Sequence, residues 1–595
     1  MQFVYRRIIV FFLPLIVISM GAAAETQLAE GKEWEQETKP KLNFVELDGY
    51  FRLRFNLMNG CDLSTFIPPG LIPSAPLGRG TSMCPPPESY LAYNDNNVPS
   101  SARSHVLFSG NMRLRVDPTL NISEDIRIKA TLDVFDNLVL GSTPAYLAGN
   151  DRFSPTYPLA FLSNTELPPL VGINNPYGSL LVKRLWGEVS TPVGELRFGR
   201  MPLHFGLGIL FNGGNQITDD YTDNIDGILF ASRVLGHYVI PAFSIGYVGD
   251  VARGGGLGSG GDNGQPYLAV EDGQRYDLDP SDNVYSFYLT IAKKDKEKDI
   301  KALLAHGNTV VNYGVMGSYR FQLKDKFQTK VANNDYRIGK VLNDRNAQAG
   351  YGSLWGSVQW DKLHIEAELA GIFGFIGNAQ DQVWDEQAWA PIDQQIWLVQ
   401  GGAAIKSRYG FLQNRLEVGL DLGWASGDTA PGFGIRPGIN KSPNYGDADG
   451  QQFGRAGDNL ITNFRFNPNY QVDLLLFREI LGTISDAFYF RPHVGYMFTD
   501  HLGVRGEIIS SFTNFAGSTT GNSNVLGLEF DATVFYQSED GLYLMAQYGL
   551  LVPFDGLSHL QDPSGSFPGI GARAFQGFGT ARNVYTFQFF GGIAF

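Results

Sequence analysis

Tyr585-Thr586-Phe587-Gln588-Phe589-Phe590-Gly591-Gly592-Ile593-Ala594-Phe595 alternates residue by residue, and Tyr585, Phe587, Phe589, Gly591, Ile593 and Phe595 make one apolar, aromatic face. The other face holds Thr586, Gln588, Gly592 and Ala594, with Phe590 as an exception. Period-two alternation puts the two sets on opposite sides of a strand. Lipid on one side and a polar interior on the other produce this pattern; so does the buried edge strand of a soluble domain. The rest of the chain has to separate the two.

At the other end, Arg6 and Arg7 precede an apolar run from Ile8 to Met20, and Gly21-Ala22-Ala23-Ala24 follow. This is the layout of a secretory signal peptide over residues 1–24, with the mature chain starting at Glu25. The run is too short for a comfortable transmembrane helix, and no other uninterrupted apolar stretch reaches eighteen residues. The first cysteine, Cys61, is far from the cleavage site, which argues against a lipid anchor. Cleavage removes two arginines and no acid, so the formal charge moves from −14 to −16, a balance that disfavours nucleic acid as a partner. Gly 71 and 13% aromatics with only 18% charged residues fit strands bathed in lipid better than a large soluble enzyme. Cys61 and Cys84 flank a Pro-rich loop and, in an oxidising compartment, are expected to form a disulfide.

Segments of about ten to fifteen alternating residues are joined by tight turns and long polar loops in turn. Tight turns are expected at, among others, Asp117 to Asp125, Leu235 to His237, Lys294 to Asp299, Asp361 to Lys362 and Ser407 to Gly410. Long connections include Met201 to Asn224, Leu323 to Gln348 and Gly427 to Thr483. Eight turns and nine loops give about eighteen strands, with sixteen or twenty as alternatives. Asp299 to Gln322 is too long for one strand, and Val472 to Thr483 reads as strand, short helix or loop. The expected fold is all-β: a transmembrane antiparallel up-and-down barrel over residues 44–595, with short periplasmic turns and long extracellular loops, after a charged periplasmic leader over 25–43. No stretch is left for a separate plug domain, so a lumen wide enough for water is expected.

The strands divide their inward charge. Arg52, Arg54, Arg113, Arg115, Arg127, Lys129, Arg184, Arg197 and Arg200 form an expected basic ladder. Later strands supply an acidic wall of Glu366, Glu368, Glu417, Asp421, Glu507, Glu529 and Asp531, with Arg415 and Arg505 as exceptions. Facing walls of opposite sign would set a transverse field across the lumen; the alternative is that these groups only keep the interior solvated.

The terminal strand, ending in Phe595, resembles the assembly signal of bacterial outer-membrane barrels, with Tyr585, Phe587, Phe589 and Phe595 as its residues. Leu185 to Asp226 resembles porin-like proteins: L-W-G-E-V-S-T-P-V-G-E-L-R-F-G-R, then M-P-L-H-F-G-L-G-I-L-F-N-G-G, then D-D-Y-T-D-N-I-D-G. That resemblance implies that Phe205 to Asp226 folds into the lumen and sets Asp219, Asp220, Asp223 and Asp226 opposite the arginines as a constriction. Gly423-Trp424-Ala425-Ser426-Gly427-Asp428 is similar to a segment of carbohydrate and alginate-export barrels. As a whole the chain resembles uncharacterised porin-like proteins. This implies an outer-membrane pore for small hydrophilic solutes, with saccharide or anionic-polymer selectivity and a non-conducting surface or adhesion barrel as alternatives. The implied surroundings are outer-membrane lipid, lipopolysaccharide and the barrel assembly machinery, and homotrimers are common among such proteins.

Catalysis has little support. Eight histidines occur, but no G-x-S-x-G elbow and no H-E-x-x-H pair, and His364, between Lys362 and Glu366, is the least ordinary of them. Asp277-Leu278-Asp279 and Asp447-Ala448-Asp449-Gly450 offer oxygen ligands for Ca²⁺ without the spacing of an EF-hand. No cofactor and no metal are expected.

Overall fold

The computed structural model describes residues 43–61, 63, 92–93, 99–100, 106–140, 143–144, 166–167, 180–246, 251–253, 275–277, 279–331, 335–378, 395–428, 460–519, 523–558 and 580–595. The expected signal peptide and nearly all of the leader lie outside these residues. So do Cys84 and the Asp447 to Gly450 stretch.

Eighteen antiparallel strands close into one barrel. They are β1 Val45–Asn59, β2 Val106–Asn121, β3 Ile126–Val139, β4 Leu180–Thr191 and β5 Gly194–Pro202. There follow β6 Asn224–Val234, β7 His237–Ile245, β8 Tyr285–Lys293, β9 Val310–Val331 and β10 Asp335–Trp360. The series continues with β11 Leu363–Ile376, β12 Ile396–Phe411, β13 Leu416–Ala425 and β14 Ala487–Met497. It ends with β15 Leu502–Thr513, β16 Val525–Gln537, β17 Leu542–Pro553 and β18 Val584–Ala594. Each pairs with its sequence neighbour, and β1 pairs with both β2 and β18, which closes the ring and leaves no free edge.

The seam follows the alternation of the terminal strand. Phe55 lies opposite Phe589 and Leu57 opposite Phe587 on the outer face, while Asn56 lies opposite Gln588 on the inner. Phe590, the exception in the pattern, does point inward and meets the Tyr543 ring at 5.7 Å between centroids. Phe595 fastens the end of the seam: its N–H donates to the Gly49 carbonyl and its own carbonyl accepts from the Gly49 N–H, both at 3.0 Å. Around the barrel many large apolar side chains are exposed, for example Phe108, Leu185, Leu354, Phe373 and Phe587. Buried arginines, acids and amides face inward.

Tight turns appear where local signals require them. Leu235 and Gly236, both with positive φ, make a two-residue link between β6 and β7 of the kind that suits the strand twist. Several boundaries differ from expectation. β2 runs on to Asn121, shortening the first turn. β12 runs past Ser407 to Phe411, and the turn follows it, because Leu412, Gln413 and Asn414 take the positive φ values that the reversal needs. A helix, α1 (Glu297–Ala305), enlarges the turn between β8 and β9, which resolves the overlong stretch before Gln322. Leu323 to Gln348 is no open loop but the continuation of β9 and β10. At about 3.4 Å per residue, β10 reaches roughly 85 Å, far more than the nine to eleven residues needed to cross a bilayer.

The expectation of an open, water-filled interior is corrected by two segments folded into the lumen. Segment A, residues 203–223, connects β5 to β6. Segment B, residues 460–486, precedes β14 and contains a single π-helical turn, Leu476–Ile480. The apolar core of the molecule therefore lies inside the barrel: Phe464, Phe466, Leu475, Phe477 and Ile480 are each at most 2% exposed.

Candidate functional site

Segment A is gripped by the arginines of β1, β2 and β4. Arg52 donates to the carbonyls of Ile217 (2.6 Å) and Asp219 (3.1 Å), Arg113 to that of Asp219 (2.8 Å), and Arg115 to that of Gly214 (2.8 Å). Arg184 reaches the Gly213 carbonyl and the Asn215 side chain. Arg52 and Arg54 pair with Asp220 at 2.5 and 2.9 Å. Guanidinium groups carry five donors in a rigid fork, which is why they can hold a strand-free backbone whose carbonyls have no ladder partners.

These arginines are consequently not a free ladder facing solution: Arg52 and Arg113 have no exposed surface. Nor is their wall purely positive. Asp133 and Asp136 pair with Arg115 and Arg113, and Glu188 and Glu195 pair with Arg197. Lys129 also reaches Glu188, at 3.2 Å; Arg127 is half-buried near the turns. Arg200 and Asp226 stand apart. They pair with each other on the outer face beside Phe198 and Ile228, both about half exposed, because strand parity points them away from buried Met201 and Ile225.

The aspartates of segment A experience different surroundings. Burial raises the Asp219 carboxyl to about 6, against the N–H of Gln216 that it accepts. Burial acts on Asp220 in the same sense, but Arg54 and Arg52 outweigh it and hold the group below its ordinary value. Asp223 is raised by burial while it accepts from the Asn212 N–H at 2.8 Å.

On the facing wall several acids act as grips. Glu368 on β11 accepts from Ser353 (2.8 Å) and from the N–H of Ile209 in segment A (3.2 Å). Glu529 on β16 accepts three successive backbone N–H groups, Leu474, Leu475 and Leu476, at 2.8 to 3.0 Å. Asp473 caps the same turn through Phe477 (2.8 Å) and Arg478 (3.1 Å), and burial raises its carboxyl to about 6. Asp421 and Glu507 are matched by Arg491, Glu507 also by Arg505, and Glu417 lies 4.0 Å from Arg408. Glu366 accepts from the Trp355 indole at 2.7 Å. His364 contacts Ser357 at 3.1 Å.

Segment B is packed rather than charged. Phe464 lies over Gly402, where any Cβ would come within 2.5 Å of the ring. Ala370, Ala404 and Ala425 leave further room along the inner face of β11 to β13. Tyr470 and Tyr489 share a hydrogen bond at 2.9 Å, and the Lys406 ammonium lies 4.5 Å from the Tyr470 ring centre. Cys61, which is disulfide-bonded, is buried in the same cluster.

The two segments meet at two asparagines. Asn467 donates to Asp223 (2.6 Å) and its N–H to the Ile209 carbonyl (2.8 Å). Asn469 donates to the Tyr221 carbonyl (2.7 Å) and accepts from the N–H groups of Tyr221 (3.1 Å) and Asp220 (3.3 Å). A septum thus spans the lumen from the arginine wall to Glu368 and Glu529. Beside it a half-open cavity of about 190 Å³ is lined by Arg54, Arg478, Arg491, Asp473, Glu507 and Asp531, with amide and hydroxyl groups between them.

Sequence reasoning missed segment B and the asparagine latch. The signal for the first was present: Val472, Leu474, Leu475, Leu476, Phe477, Ile480 and Leu481 are too apolar for a solvated loop. The latch had no signal, since asparagines in a loop are ordinary. Among the described residues no group of three or more His, Cys, Asp or Glu side chains could hold a metal ion. Asp277 instead accepts from Asn283, and Asp279 pairs with Lys324.

No protein-family profile matches the chain, and no curated protein matches it. Solved structures similar to it include OccAB1 of Acinetobacter baumannii, at 10% identity and a TM-score of 0.41 over 93% of this chain and 96% of that one. OccK9 of Pseudomonas aeruginosa is similar at 10% identity and 0.41, covering 93% and 98%. A BenF-like porin of Pseudomonas fluorescens is similar at 10% identity and 0.40, covering 93% and 100%.

Proposed function

We propose that this chain is a bacterial outer-membrane channel for small hydrophilic solutes, narrowed at mid-lumen by the two in-folded segments. One observation carries the reading: a closed barrel with an apolar exterior keeps a half-open cavity, lined by charged and apolar side chains alike, where its septum meets the wall. Lipid accounts for the exterior, since rings and aliphatic side chains cover a surface that water would disfavour. Export by a cleaved signal peptide, and recognition of the terminal strand by the barrel assembly machinery, belong to the same proposal. The lumen is polar but its charges are largely paired, so size is expected to govern passage more than a transverse field.

A second reading, a non-conducting surface barrel, is favoured by the apolar core inside the lumen. Single-channel recording of the refolded chain in a planar bilayer separates them. Small, stable unitary steps are expected, well below those of an unobstructed barrel of this strand number. A correctly folded barrel that stays silent would overturn the channel and leave the surface reading.

A further inference from the structure

The cavity beside the septum has groups that no part of the fold requires. Asp531 is 5% exposed, and among the described residues no N–H or hydroxyl donates to its carboxylate oxygens, beside which stands the Glu529 carboxyl. Two residues away on the same inner face, Glu529 is fully engaged with backbone N–H groups, and Asp473 caps the π-helical turn. A buried carboxylate left without a donor is costly, and a donor supplied from the cavity would relieve that cost. The same cavity is lined by guanidinium groups. Arg54 and Arg491 are already paired, with Asp220 and Glu507, whereas among the described residues the Arg478 guanidinium has one ion pair, a loose one with Glu479 at 3.7 Å, and keeps donors for another acceptor.

Deepening the channel reading, on which it rests, we propose that this cavity is a binding subsite for a small zwitterion carrying a primary ammonium and a carboxylate. The ammonium supplies the donors that Asp531 lacks, and the carboxylate takes the free fork of Arg478. A simple anion meets Asp473, Glu507 and Asp531; a simple cation meets Arg54, Arg478 and Arg491. Each is repelled by half of the charged lining residues, whereas a molecule with both charges can meet the two sets in turn. Size points the same way. At roughly 30 Å³ per water, 190 Å³ accommodates about six waters, room enough for a small α-amino acid with part of its hydration. Residues of both in-folded segments line the cavity, Thr218 from A and Gln471 to Leu474 with Arg478 from B, so a bound solute lies against the septum itself.

The test uses the full chain folded in detergent and four probes: L-alanine, acetate, ethylammonium and glucose. Titration calorimetry is expected to show binding of L-alanine in preference to the other three, with Asp531→Asn and Arg478→Gln each weakening it about tenfold. In planar bilayers L-alanine is expected to interrupt the current in proportion to its concentration. Equal binding of glucose or of either singly charged probe, or L-alanine binding unchanged in both variants, would overturn the subsite. Should Asp531→Asn fail to fold, as read from heat-modifiable mobility, Arg478→Gln decides alone. Binding without current would overturn the channel and leave the subsite standing; current without L-alanine binding would do the reverse.

Discussion

Segments A and B occupy the same lumen but are held by a different balance of forces. Segment A buries Leu203, Phe205, Ile209 and Phe211 as well, but at the arginine wall it is fixed by guanidinium groups on backbone carbonyls and on Asp220. Segment B buries aromatic and aliphatic side chains against small residues of β11 to β13, with charged groups at its edges: Glu529 and Asp473 cap its π-helical turn and Asp486 accepts from Thr513 and Asn514. The difference shows that a barrel can recruit a loop inward in two ways, by supplying donors for orphan carbonyls or by supplying room for rings. The first depends on charge state and the second does not.

The largest expected effect comes from Leu475→Asp, which places a carboxylate in the driest part of segment B, where Leu475 has no exposed surface. Segment B should leave the lumen, seen as a several-fold rise in unitary conductance and new proteolytic cleavage within residues 460–486. If conductance is unchanged, packing does not hold B in place. Next, Arg113→Ala should loosen segment A by about 1–3 kcal/mol, because the Asp219 carbonyl loses a charged donor while Asp136 keeps Lys183 at 2.6 Å; lower thermal stability with raised conductance is the outcome to measure.

Acidity separates the two segments more finely. With the Asp219 carboxyl raised from 3.8 to about 6, docked segment A binds that proton more tightly than a released one. Docking is therefore favoured at low pH, and that advantage is lost as pH rises from near 4 through 6. Asp223 acts in the same sense, and the opposite shift of Asp220 matters only below its ordinary value of 3.8. Conductance should fall on acidification across this window. Asp473 in segment B is also raised to about 6, so Asp219→Asn should remove only part of the response; no change in that variant would shift the whole response to B. Smallest of all, Asn467→Ala and Asn469→Ala should cost about 1 kcal/mol each and register as increased current noise, with the mean conductance nearly preserved.

Much of the barrel was legible because its information is local. Alternation in the terminal strand, in Phe51 to Leu57 and in Ile126 to Val134 fixed which side chains face outward, and Leu235-Gly236 marked a turn by its residue types alone. The turn at Leu412 to Arg415 was misplaced because β12 continues the same alternation through Ser407, and nothing local ends it. Segment A was anticipated only through the porin resemblance. Its acids were expected across the pore from the arginines, whereas Asp220 lies directly upon them.

The sequence by itself determined the barrel and the two faces of its wall, since a strand's sidedness is written in every second residue. Only the tertiary structure decided what the inward charges do. Arg52, Arg113 and Glu529 read as pore lining until the chain between strands returns to them, and whether a carboxylate faces water, a guanidinium or three backbone N–H groups depends on residues up to hundreds of positions away. Such contacts obey geometry rather than periodicity, and so the septum, its asparagine latch and the cavity beside it had no local pattern from which they could be read.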